Sequence, residues 1–160
     1  HFTKKLLDSI QAKGIRICNV ILHVGSGTFS PIKTDNILDH KIHSEWCYLD
    51  SQAANLLNQT RAAGGNIIAV GTTSMRILES AVDGTGKFSE YKGETDIYIK
   101  PGHKFRAADA MITNFHLPKS TLMMLVSAFA GLENIRKAYR IAIEKSYRFF
   151  SYGDSMFITR

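Results

Sequence analysis

The sequence predicts an α/β domain with a mainly parallel or mixed sheet and helices packed on its faces. Three observations predict it. Strand-like and helix-like segments alternate along the chain with short links between them, the pattern of βαβ units. The segment NIIAVG, residues 66–71, is a short uncharged apolar run of the kind buried on both faces of a sheet. The stretch Ser120–Gly131 carries no charge over about 12 residues, against the roughly 20 that cross a bilayer, so it predicts a helix buried in protein.

Each element has its own local signal. Thr3 precedes a helical pattern that places Phe2, Leu6, Leu7 and Ile10 on one side, and Gly14 follows it, so residues 3–13 predict a helix with an N-cap and a glycine stop. Ile15–His23 reads as a strand. The loop GSGTFSP follows, and Pro31 excludes a long helix directly after it. SEWCYL, residues 44–49, is strand-like; Asp50 or Ser51 then caps a helix through Ala63, ended by Gly64 and Gly65.

After NIIAVG, the segment TTSMRILESAV opens a helix at Thr72 or Thr73. DGTGKFSEYKG, residues 83–93, reads as an exposed excursion, with strands at Asp96–Lys100 and Asp109–Thr113 beyond it. The buried helix and Gly131 come next. A second helix over Leu132–Arg148 puts Ile135, Ala138, Tyr139 and Ala142 on one face and Arg136, Lys137, Arg140 and Arg148 on the other. SYGDSMFI predicts a turn and a final strand. Neither a repeat nor a low-complexity linker divides the chain, so residues 1–160 read as a single domain.

The formal charge of +6 and pI near 9.4 favour a polyanionic partner without naming it. Only Cys18 and Cys47 are present, which implies no disulfide framework and predicts reduced thiols in the cytoplasm. The start, His1-Phe2-Thr3, has neither an initiator methionine nor a leader and reads as a piece cut from something longer. No membrane is implied, and a monomer is expected.

Several constellations could carry chemistry. Where NIIAV runs into GTTS, a helix N-terminus would present unpaired N–H groups and partial positive charge, with the hydroxyls of Thr72, Thr73 and Ser74 beside them. Such a place suits a carboxylate or phosphate, with Arg76 one turn inside as an anion partner; plain capping by Thr72 or Thr73 is the competing reading. HVGSGTF has Gly-x-Gly after a strand but continues as Phe29-Ser30-Pro31, so it is no dinucleotide fingerprint. It is either a tight connection or a loop whose backbone at Gly27 approaches a ligand while Ser26 and Thr28 donate.

His40, His43 and Cys47 lie within eight residues, yet their spacing matches no common zinc motif, so no metal is expected. Glu45 could act as an acid or base or simply be solvated. His116 falls between a strand end and a helix start, where ligands of α/β sheets collect and where a histidine can move a proton near neutral pH. A hydrogen-bonded structural histidine is the alternative. The basic face of the last helix, with Lys100, Lys104 and Arg106, could contact phosphates or merely be solvated.

In order, LHVGSGTFSPI, HSE, AVGTTSMRILES, TNFHLPKSTLMMLVSAFAG and YRFFSYGDSMFI resemble the C-terminal half of the S-adenosylmethionine:tRNA ribosyltransferase-isomerase family of queuosine biosynthesis. The resemblance runs from His1 to about Ile158. It implies a larger two-domain enzyme whose N-terminal half, with an inserted β-barrel domain, is not in this chain. The implied reaction transfers the ribosyl part of S-adenosylmethionine, a co-substrate rather than a permanently bound cofactor, to a 7-aminomethyl-7-deazaguanine base at the tRNA wobble position. Isomerisation gives epoxyqueuosine, and adenine and methionine leave.

That chemistry needs a base for a proton beside the sulfonium, a neutral acceptor amine and a protonated adenine leaving group. It also needs an N–H-rich or cationic berth for methionine's carboxylate. GTTS with Arg76 is the candidate berth, and His116, His43 and Glu45 are the candidate proton movers. Ser26, Thr28, Asn114 and Asp154 are candidate orienting groups, and Arg136, Lys137, Arg140 and Arg148 a candidate tRNA contact. The rival readings are a non-catalytic tRNA-binding module and an α/β scaffold that binds nothing.

Overall fold

Two small sheets share one buried helix in the computed structural model, which describes residues 2–25 and 42–160. The elements in chain order are α1 (Lys4–Ala12), β1 (Ile21–Leu22), β2 (Glu45–Leu49), α2 (Ser51–Ala62), β3 (Ile68–Val70) and α3 (Thr72–Ala81), then β4 (Tyr91–Thr95), β5 (Ala110–Asn114), α4 (Thr121–Ala130), α5 (Leu132–Glu144), a 3₁₀ turn (Phe150–Tyr152) and β6 (Ser155–Thr159). The first sheet has the order β1-β2-β4 and the second β3-β5-β6. Among the described residues three of the four pairings are antiparallel, and only β3 with β5 is parallel. The expected mainly parallel sheet is therefore replaced by one antiparallel and one mixed sheet.

Local chemistry sets the helix starts. Thr3 accepts from Leu6 N, Asp50 from Ala53 N and Ser120 from Met123 N, each satisfying an amide that the first turn leaves without a partner. At α3 the expected threonine cap is absent. Gly71 holds that position at φ +92°, no side chain caps the turn, and Ser74 Oγ donates back to Val70 O at 2.8 Å.

Two strand expectations shift. Of Ile15–His23 only Ile21–Leu22 forms a strand, opposite Tyr48 and Cys47, and His23 N extends the pairing by one bond to Trp46 O at 2.8 Å. The strand expected at Asp96–Lys100 lies earlier, at Tyr91–Thr95, in full register with β2. Its sequence YKGET is polar because the strand sits at an edge with solvent on one side, so it lacks an apolar signal.

The core runs between the sheets and the helices. In α3, Met75, Ile77, Leu78 and Ala81 are buried together with Arg76 and Glu79, and the helix packs against both sheets. In α4 no residue is exposed, as the uncharged sequence predicts, and Phe129 meets Phe105 edge to face. No helix among the described residues is long and apolar enough to cross a membrane. The outer face of the second sheet is open: its register aligns Val70, Ile112 and Phe157 in one row, and Ile68, Val70 and Phe157 are exposed.

Candidate functional site

A helix buried on all sides must find partners for its polar residues, since burying an unpaired charge is costly. α3 carries two such residues. Glu79 is fully engaged: Oε1 accepts from Arg106 N at 2.9 Å and Ala107 N at 2.8 Å, and Oε2 meets His103 Nε2 at 3.0 Å. It pins the 103–107 segment and leaves nothing for a ligand.

Arg76 differs. Its Nη1 donates to Glu45 Oε2 at the start of β2, and Glu45 Oε1 accepts from Gly25 N at 2.9 Å just after β1. The arginine is 4% exposed and the glutamate 2%. The two remaining donors, Nε and Nη2, are buried and meet no acceptor among the described residues. Those two N–H groups form the side-on fork of a guanidinium, the edge that binds a carboxylate bidentately, and leaving a buried donor unpaired costs about 1–3 kcal/mol. The pair thus orients a cationic fork that an anion would satisfy.

The start of α3 lies beside the end of β5, because Gly71 N donates to Ile112 O at 2.8 Å where β3 and β5 run parallel. Only a residue free at positive φ can make this entry, so glycine is required there. The amides of the first turn are unpaired by helix geometry, and Arg76 stands one turn further in. Thr72 is buried, while Thr73 and Ser74 are partly exposed.

One residue past Ile112 begins the corner that holds His116. Its Nε2 shares a hydrogen bond with Thr113 Oγ1 at 2.9 Å, and its backbone N donates to Tyr139 Oη on α5 at 2.6 Å. Burial lowers the imidazole pKa to about 4, so the ring is neutral at physiological pH. Asn114 Nδ2 donates to Asp154 O at 3.1 Å, and Phe150 N donates to Phe115 O at 3.1 Å, which fastens the 148–154 segment to the same corner.

Other predicted residues fall differently. Ser26, Gly27, Thr28 and His40 lie outside the described residues. His43 is exposed two positions before Glu45, and Cys47 is fully buried in the core; no cluster of potential metal ligands forms among the described residues. Glu45, a candidate for a solvated carboxylate, is instead a buried ion-pair partner. Arg136, Lys137 and Arg140 are exposed on α5, although Arg136 also pairs with Glu133 at 2.8 Å.

Arg148 is not on that face. α5 ends at Glu144, and the Arg148 side chain turns to the Asp154 carboxylate, with Nε at 3.2 Å and Nη2 at 3.3 Å. Asp154 also accepts from Arg148 N at 2.5 Å, and these bonds hold its carboxyl below the usual range. Tyr139 and Glu79 were invisible as site-shaping residues, because each matches an ordinary amphipathic helix position. The groove between α5 and β6, about 450 Å³, is lined by Ile135, Ile141, Ala142 and Phe157 among others, and contains none of the predicted site residues.

The family model described as queuosine biosynthesis protein matches residues 1–158. The chain belongs to that family. It is 58% identical over 160 residues to the S-adenosylmethionine:tRNA ribosyltransferase-isomerase of Ralstonia nicotianae (strain ATCC BAA-1114 / GMI1000), covering 100% of this chain and 45% of that protein. The enzyme of the same name from Ralstonia pickettii (strain 12J) is 56% identical over the same coverage. The crystal structure of S-adenosylmethionine tRNA ribosyltransferase from Thermotoga maritima superposes with a TM-score of 0.79 at 39% identity, covering 98% of this chain and 49% of that one. This queuosine biosynthesis family member therefore spans about half the length of the relatives it matches.

Proposed function

We propose that the chain supplies the S-adenosylmethionine berth and part of the tRNA contact of a ribosyltransferase-isomerase. The whole enzyme transfers and isomerises the ribosyl unit of S-adenosylmethionine onto 7-aminomethyl-7-deazaguanine at the wobble position, and epoxyqueuosine, adenine and methionine result. The observation that carries the reading is the buried Arg76 fork, an unsatisfied cationic edge held in place by Glu45. Methionine's carboxylate fits that edge, and the free amides at the start of α3 with the hydroxyls of Thr72 and Thr73 support the same anion.

His116, just past the end of β5, is the proton mover, with Asn114 orienting beside it. Its neutral ring can accept a proton or a hydrogen bond from substrate, and burial drives any proton it gains onward. His43 is a second candidate proton mover at the mouth of the loop before β2. Glu45 holds Arg76 rather than moving protons. S-adenosylmethionine comes and goes as a co-substrate, and the enzyme works as a cytoplasmic monomer.

The rest of the longer protein covers the open face of the second sheet, since a sheet with a parallel pairing is stable when both faces are packed. Because this chain spans only about half the length of its relatives, it is catalytically inactive by itself. Mass spectrometry of precursor-base tRNA incubated with the full-length protein and S-adenosylmethionine tests the reading. Conversion to epoxyqueuosine is expected from the full protein and not from the 160-residue chain. An unchanged base after incubation with the full protein would sink it, and tRNA binding without conversion would favour a non-catalytic module.

A further inference from the structure

The segment 146–154 is strained and aromatic: Phe150 meets Phe149 edge to face at 6.2 Å between ring centroids yet stays 42% exposed, and Tyr152 projects further still. Ser146 and Phe150 hold positive φ, +56° and +61°, and for a bulky residue such as Phe150 that is a rare and costly conformation. The strain is locked in by the Phe150 N to Phe115 O bond, the Arg148–Asp154 pair and the packing of Phe149 on Phe115 at 4.9 Å between ring centroids. Gly153 completes the lock at φ +123°, where an added Cβ would lie 3.2 Å from Arg148 Nη2.

The result presents aromatic surface to solvent. Tyr152 is 73% exposed and Phe150 42%, one residue on either side of Ser151. Exposed cationic side chains precede them in sequence: Lys145 caps the end of α5 and Arg140 lies five positions before it. Asp154, the carboxylate nearest in sequence, is already bound to Arg148. The turn is also fastened, through Phe150 N and Phe115 O, to the residue preceding His116.

We propose that Tyr152 and Phe150 form a stacking platform for an unpaired nucleobase next to the base that enters the His116 corner, with Lys145 and Arg140 receiving the adjoining phosphates. The inference rests on the proposed tRNA substrate and names the part of it that is gripped. Proteins read RNA chiefly through unpaired bases stacked on aromatic rings, and a turn whose rings are fixed before binding loses little entropy on contact. Stacking is worth about 1–3 kcal/mol per base by alanine substitution, or roughly 5- to 150-fold in affinity.

The test uses the full-length protein, an anticodon stem-loop RNA and a fully paired duplex of the same length. Tyr152→Ala should weaken stem-loop binding by about 10-fold or more, whereas Tyr152→Trp should restore it. S-adenosylmethionine affinity, melting temperature and duplex binding should stay at wild-type values. Unchanged stem-loop affinity in Tyr152→Ala would overturn the inference while leaving the proposed function standing. A lowered melting temperature, with RNA binding tracking the folded fraction, would overturn it differently, by showing that the rest of the longer protein packs on Tyr152. A wild-type protein that binds no stem-loop at all would remove both the inference and the tRNA reading beneath it.

Discussion

Arg76 and Glu45 can be separated by making the pair first wrong and then apolar. Glu45→Gln in the full-length protein leaves the guanidinium buried without its carboxylate, and breaking a buried pair from one side costs about 3–5 kcal/mol. Glu45→Leu with Arg76→Met removes both charges and fills similar volume, so stability should recover to within about 1 kcal/mol of wild type. Binding should not recover. Two charge-assisted hydrogen bonds from Nε and Nη2 would be lost, each worth about 1.5–3 kcal/mol, so S-adenosylmethionine affinity should fall by at least about 100-fold. Denaturant melts give the first quantity and titration calorimetry the second. If the double variant folds well and binds S-adenosylmethionine as tightly as wild type, Arg76 does not hold the carboxylate and the argument from its unpaired donors fails.

Burial of His116 predicts a pH limb. Its folded pKa of about 4 lies below the ordinary 6.5, so the unfolded chain takes up the proton first and stability falls as pH drops from 6.5 to 4, by about 3 kcal/mol in all. His116→Gln should flatten that limb in melts at pH 4, 5 and 7, and in the full-length enzyme at neutral pH it should cut turnover by roughly 100-fold with S-adenosylmethionine affinity retained; full activity in a stable variant removes His116 from the site. Gly71→Ala should lower stability by about 1–3 kcal/mol through its positive φ alone, since the added Cβ meets only Thr73 Oγ1 at an ordinary 3.5 Å; an unchanged melting temperature would contradict the strain. Arg136→Ala with Arg140→Ala should weaken tRNA binding alike for every tRNA sequence and reduce the salt slope by about one per lost phosphate contact; an unaltered slope returns that face of α5 to simple solvation.

The sequence by itself determined the features whose cause is local. Thr3 announces its helix, and Asp50 or Ser51 the next, because a side-chain oxygen within three residues settles a cap, and the uncharged run of α4 can only be buried. The family, too, was legible, because the motifs at Leu22–Ile32, Thr113–Gly131 and Tyr147–Ile158 combine in one order. Tertiary structure alone decided what depends on pairing across distance. YKGET looks like loop until β2 supplies its register, and the open row of Val70, Ile112 and Phe157 exists only once three strands from separate parts of the chain align. Glu45 and Arg76 are 31 positions apart and each resembles a solvated surface residue; α3 must be wedged between two sheets before either is stripped of water. The same holds at His116, whose neutral ring and bond from its amide to Tyr139 follow from packing against α5. Solvation is a property of the assembled surroundings, so a charge's partner and protonation state cannot be written in the residues beside it.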